Sequence, residues 1–160
     1  MNKVKPRSPN RESYGRQIKK EKIQAILKKI REKVSLEYLE EAKRELTIVK
    51  EMASSFMDID TGYQIAHCYY HLFMYKESID VLTSIKPSED QKRPRVLNLK
   101  SLCYLRMGNL LFAKELLDQA LIIDPCDVET LNNLGNIAMH KGEFDNCKAY
   151  YRRSKIRILS

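Results

Sequence analysis

The chain repeats itself at intervals of 34 and 35 residues, and that period constrains its fold more than any single motif. Slid back by 34 residues, Leu131 falls on Leu97, Gly135 on Ser101, Ala138 on Tyr104 and Gly142 on Gly108. Phe144 falls on Leu110, Cys147 on Ala113, Tyr151 on Leu117 and Ser154 on Ala120. Another 35 residues back, Ser101 falls on Ala66, Tyr104 on Tyr69, Leu110 on Tyr75, Ala113 on Ser78, Leu117 on Leu82 and Ala120 on Ile85. A period of this length marks a supersecondary unit that buries its apolar face only by stacking on its neighbours. Within each unit the apolar residues recur at helical spacing, and no stretch alternates as a strand does. Two antiparallel helices approach closely only where both present small side chains. Gly135 or Ser101 on the first helix is therefore expected to meet Cys147 or Ala113 on the second. Leu131, Leu134, Phe144 and Tyr151 fill the space on either side. Gly108 and Gly142 supply the positive φ that reverses the chain. Pro125 helps to end the second helix of the middle unit.

This pattern resembles the tetratricopeptide repeat. The third copy carries the family's marks as Leu131, Leu134-Gly135, Gly142, Phe144 and Tyr151. The second carries them as Leu97, Tyr104, Gly108, Ala113, Ala120-Leu121 and Pro125. The first departs from them, with Phe73 where the turn glycine belongs and Pro87 early. The third has Leu159 in place of the closing proline. The expected fold is all-α: three tetratricopeptide-like hairpins at 59–93, 94–127 and 128–160 in a short right-handed solenoid.

The front of the chain does not keep the period. Residues 1–15 hold Pro6, Pro9 and many charges and read as a basic, disordered tail. From Arg16 to Lys33, Ile23, Ile26, Leu27, Ile30 and then Val34 form one apolar stripe. Ser35 is the expected N-cap of a next helix with the seam Leu39, Ala42, Leu46, Val49, Ala53 and Phe56. Residues 16–58 thus read as a helical hairpin, either a cap on the solenoid or a diverged fourth repeat. Asp60 or Thr61 is expected to cap the helix that follows. Pro87 and Pro94 bracket a charged loop.

Charge is unevenly spread over the 160 residues. Residues 1–33 hold 12 Lys and Arg against 3 acids, whereas the remainder holds 17 against 18. Lys19, Lys20, Lys22, Lys28, Lys29, Arg31 and Lys33 could meet RNA phosphates, anionic lipid or an acidic protein, or serve only to keep the chain in solution. Only Tyr14 supplies an aromatic ring there, which disfavours a stacking platform for single strands. A second basic cluster, Lys148, Arg152, Arg153, Lys155 and Arg157, lies on the last helix. The four cysteines are widely spaced and read as reduced thiols. No apolar run is long enough to span a bilayer and no secretory signal is present, so a soluble, cytoplasmic chain is expected, with the nucleus left open. His67 and His71 are one helical turn apart beside Cys68, but no third ligand follows at metal spacing. No phosphate loop or nucleophile–base pattern is present. The chain is read as non-catalytic, with no cofactor and no metal.

The resemblance implies a concave groove lined by the first helix of each repeat. Carried onto this chain, the groove candidates are Tyr63, His67, Tyr70 and His71, then Arg95, Asn98, Leu102 and Arg106, then Asn132, Asn136, Met139 and His140, with Asp60, Leu105 and Glu129 beside them. The family's dicarboxylate clamp is missing: its columns hold Tyr63, His67, Leu99, Glu129 and Asn133. The leading expectation is an adaptor, scaffold or assembly factor that binds a peptide or helix of another protein. Two alternatives stand beside it. One is a secretion or translocator chaperone with three such repeats. The other is an RNA- or membrane-associated subunit working through the basic segment. Ile156, Ile158 and Leu159 leave an apolar C-terminal edge, where self-association or docking of a partner is expected.

Overall fold

A computed structural model describes residues 11–55, 57–85 and 93–156, which contain eight α-helices and no strand. The chain divides into two compact units between Met57 and Asp58. The predictions for residues 1–10, Phe56, the loop after Pro87 and the edge at Ile158 and Leu159 fall outside the described residues.

The first unit is a hairpin of α1 (Arg11–Ser35) and α2 (Leu39–Ala53). Ile23, Leu27 and Ile30 of α1 are buried, as are Ala42, Leu46, Val49 and Ala53 of α2, both at three- and four-residue spacing. Two expectations change here. The helix starts at Arg11, so residues 11–15 are not tail. Ser35 is the last residue of α1 and not an N-cap: its hydroxyl donates to Glu32 O at 2.7 Å, and the chain turns over Leu36–Tyr38. Lys33 bridges to α2, 3.1 Å from Glu41 and also paired with Glu45.

The second unit consists of three hairpins: α3 (Ile59–His71) with α4 (Tyr75–Ser84), α5 (Pro94–Arg106) with α6 (Leu110–Ile123), and α7 (Val128–His140) with α8 (Phe144–Ile156). Asp58, not Asp60 or Thr61, caps α3, its carboxylate accepting from Thr61 N at 2.8 Å. Asp127 caps α7 in the same way through Thr130 N. Pro94 opens α5, where its missing N–H costs nothing. Residues at the expected repeat columns are buried: Ala66, Ser101 and Gly135 on the first helices, and Ser78, Ala113 and Cys147 on the second. The Ser78 hydroxyl donates to Ala66 O at 2.8 Å and accepts from the Cys103 thiol, tying α4 to both neighbouring first helices.

One turn geometry closes all three first helices. The N–H groups of Met74, Asn109 and Glu143 each reach back five residues, to the carbonyls of Tyr69, Tyr104 and Ala138, at 2.9 Å. This turn needs one residue with positive φ. Gly108 (φ 81°) and Gly142 (φ 73°) supply it, and Phe73 adopts it at φ 62°. A side chain in the left-handed region costs about 1–2 kcal/mol, and Phe73 is largely exposed. Glycine's greater freedom in the unfolded chain offsets part of that strain. Phe73→Gly is therefore expected to raise stability by about 0.5–1 kcal/mol, measured by urea unfolding. A lower midpoint would mean that the edge contact of the Phe73 ring with Tyr75 outweighs the strain.

The close approach expected at Gly135 is present. A Cβ on Gly135 would stand 2.6 Å from the Tyr151 ring, so the nearest side chain that the glycine makes room for is tyrosine. The Tyr151 hydroxyl donates to Asn136 Oδ1 at 2.6 Å, which fixes the ring over that gap.

Candidate functional site

Successive first helices pack on one another, α3 against α5 and α5 against α7. Among the described residues the second helices α4, α6 and α8 make no comparable packing with each other. The second unit therefore curves with its first helices inside, and their outer stripe lines the concave face.

The aromatic residues of α3 form a connected row on this face. Tyr63 stacks on His67 with centroids 6.0 Å apart, and His67 meets His71 edge-on at 4.4 Å. The Nε2 atoms of these two histidines lie 3.3 Å apart, within hydrogen-bond distance, with donor and acceptor set by the ring tautomers. Tyr70 packs edge-on against His71 and tilts against Tyr75. Burial pushes the Tyr63 phenol up, and the Glu129 carboxylate adds to the shift, while Arg95 opposes it. Burial raises Glu129 as well, with Asp127 contributing.

Arginines of α5 reach back onto this row. The Arg95 guanidinium lies 5.2 Å from the centre of the Tyr63 ring and pairs with Asp60. Arg106 Nε donates to the Tyr70 hydroxyl at 3.3 Å. A cleft of about 400 Å³ opens between α5 and α7 at the start of α6, lined by Leu102, Leu105, Arg106, Leu110, Asn136, Ile137 and His140. Met139 and Asn132 are exposed on α7.

Asn98 takes another role. It is fully buried. Its Nδ2 donates to Asp127 Oδ2 at 2.9 Å, and its Oδ1 accepts from Thr130 Oγ1 at 3.0 Å. Its amide thus joins α5 to the cap of α7 and is not offered to a partner. The expected anion patch is also altered. Lys33 is engaged by Glu41 and Glu45, whereas Lys19, Lys22, Lys28 and Lys29 are exposed on α1.

Leu110 and Ile137 were not among the sequence candidates. Their apolar repeat columns marked them as core. A cleft between neighbouring units is set by the separation of two helices, which the period does not encode. Among the described residues no three metal-ligating side chains converge, and no helix is long and apolar enough to cross a membrane.

Residues 128–155 match a model of the tetratricopeptide repeat. Comparison with curated proteins gives no match. Solved structures do match. One is a double mutant of MamA from strain RS-1, with TM-score 0.63 and 15% identity over 83% of this chain and 73% of that one. Another is MamA from residue 41 to its end, from Desulfovibrio magneticus RS-1, with TM-score 0.64, 15% identity and the same coverage. A third is a chain of the Cut9–Hcn1 hetero-tetramer of the APC/C, with TM-score 0.66 and 17% identity over 84% of this chain and 25% of that one. The hairpin period, the shared turn after each first helix, the match at 128–155 and the fold of these structures agree: residues 128–155 carry a tetratricopeptide repeat, and the fold is similar to that of these proteins.

Proposed function

We propose that the chain is a protein-interaction module whose repeat unit holds a segment of a partner protein against α3, α5 and α7. One observation carries this reading. Three buried side-chain polar atoms lack a hydrogen-bond partner among the described residues: Thr61 Oγ1, Arg95 Nε and Asn133 Nδ2. All three lie on first helices; Thr61 is fully enclosed, as Asn98 is, so the reading uses Arg95 Nε on α5 and Asn133 Nδ2 on α7. A buried polar group without a partner costs about 1–3 kcal/mol, and such groups persist where something else satisfies them. Arg95 Nε and Asn133 Nδ2 can only donate, which suits the carbonyls of a bound peptide backbone. The surrounding tyrosines and arginines are the residue types that anchor protein interfaces.

The test is affinity capture from lysate of the source organism with three baits. These are the native chain, a Tyr63→Ala, Arg95→Ala, Arg106→Ala variant, and a Lys19→Gln, Lys22→Gln, Lys28→Gln, Lys29→Gln variant. Circular dichroism first confirms that each is folded. A protein partner that survives the lysine changes and is lost with the groove changes supports the reading. Captured RNA or lipid that is lost with the lysine changes assigns the work to α1 and overturns it.

A further inference from the structure

We infer that the cleft between α5 and α7 takes an apolar side chain of a partner segment whose neighbouring residues are acidic. This rests on the reading that a partner segment lies on α3, α5 and α7. The walls of the cleft are apolar: Leu102 and Leu105 from α5, Leu110 from α6 and Ile137 from α7. Its volume of about 400 Å³ lies in the range of pockets that hold ligands. Arg106, His140 and Asn136 stand at the same cleft. They supply a guanidinium, a ring N–H and an amide, and no carboxylate.

The charge pattern of the three first helices sets the sign. His71, Arg106 and His140 occupy one repeat column, the last helical residue of α3, α5 and α7. The acids of these helices are in the opposite, first turns: Asp60 on α3 and Glu129 on α7. Over 13 residues the two ends are about 18 Å apart, and Asp60 is already paired with Arg95. Basic residues at helix C-termini also favour the helix dipole, but that effect does not place four apolar side chains between two of them. Arg106 is further oriented by the Tyr70 hydroxyl, which holds its Nε and leaves the outer nitrogens to fork onto a carboxylate. One turn from Asn136 and Ile137, Asn133 Nδ2 is buried without an acceptor among the described residues. A backbone carbonyl beside the anchored side chain would satisfy it.

Three helices about 10 Å apart are crossed by roughly six extended residues. The probe is accordingly the acetylated hexapeptide GDELDG, titrated into the full chain with isotope-labelled methyl groups and followed by NMR. The controls are GDESDG and GKKLKG. Saturable shifts are expected at the methyls of Leu102, Leu105, Leu110 and Ile137 and at the side-chain amides of Asn133 and Asn136, with a dissociation constant of about 0.1–1 mM. GDESDG is expected to lose the methyl shifts. Arg106→Glu is expected to weaken GDELDG binding by about tenfold, while a folded Lys28→Gln, Lys29→Gln variant binds it unchanged. Shifts confined to α1, or equal binding of GKKLKG, would overturn the proposal. If the cleft stays silent but a captured partner is still lost on changing Tyr63 and Arg95, this inference fails and the groove reading stands. If neither responds, both fail.

Discussion

Gly135→Val is expected to destabilise the repeat unit by about 3 kcal/mol through overpacking. On a unit of this size that is a fall of roughly 15 °C in the unfolding midpoint. The Cβ alone would stand 2.6 Å from a carbon of the Tyr151 ring and 2.9 Å from the carbon bearing its hydroxyl. No ring carbon accepts such a contact without moving. The Tyr151 ring is not free to move, because its hydroxyl is bonded to Asn136 at 2.6 Å. Swinging it aside breaks that bond and opens the joint between α7 and α8. Glycine is otherwise a poor helix residue, by about 1 kcal/mol against alanine, so any substitution should gain helix propensity. The net sign therefore reports the contact. A double-mutant cycle makes this explicit: in a Tyr151→Ala background, Gly135→Ala is expected to stabilise, and Gly135→Val to lose most of its penalty. If Gly135→Val costs the same in both backgrounds, the ring is not the cause.

Asn98→Ala is expected to cost about 2–3 kcal/mol. It deletes two hydrogen bonds in a fully buried site, one of them to a carboxylate, and leaves Thr130 Oγ1 bonded only within its own cap. Urea unfolding of the folded variant gives the number. Asn98→Asp is the sharper probe. It sets a second carboxylate against Asp127, and two neighbouring carboxylates raise each other's pKa. The folded-state pKa is then above the unfolded one, so the penalty is full at neutral pH and shrinks as pH falls and one carboxyl takes up a proton. Asn98→Ala carries no such acid relief. If Asn98→Ala were stable but failed to bind partners, the residue would belong to the groove after all.

The sequence showed the repeat unit well and the joints between units poorly. Gly108 and Gly142 were readable because a positive φ leaves a residue-type signature, and the same column exposed Phe73 as the exception. Ala113, Leu117 and Ala120 were readable because burial on a helix has a period. Asn98 was misread for the same reason. Its column faces the groove in the family, but here the side chain turns between units to meet Asp127 and Thr130. Its Asp127 partner is 29 residues away and leaves no local trace. Gly135 is legible as a close-approach position, but the spacing does not say which of Cys147 and Tyr151, one turn apart on α8, comes nearest. The start of α1 was set too late because prolines and charges outweighed five residues with no helix breaker other than an exposed Gly15.

The bonds between successive first helices have a mechanical meaning. Asp60 to Arg95 and Tyr70 to Arg106 tie α3 to α5, and Asn98 to Asp127 and Thr130 tie α5 to α7. When a curved stack of hairpins is pulled straight, its inner side lengthens first. These links then act as short stiff springs on the side that takes the strain. A ligand that drew Arg95 away from Asp60 would remove one such spring as it bound, whereas one held by the outer nitrogens of Arg106 would leave the bond to Tyr70 in place.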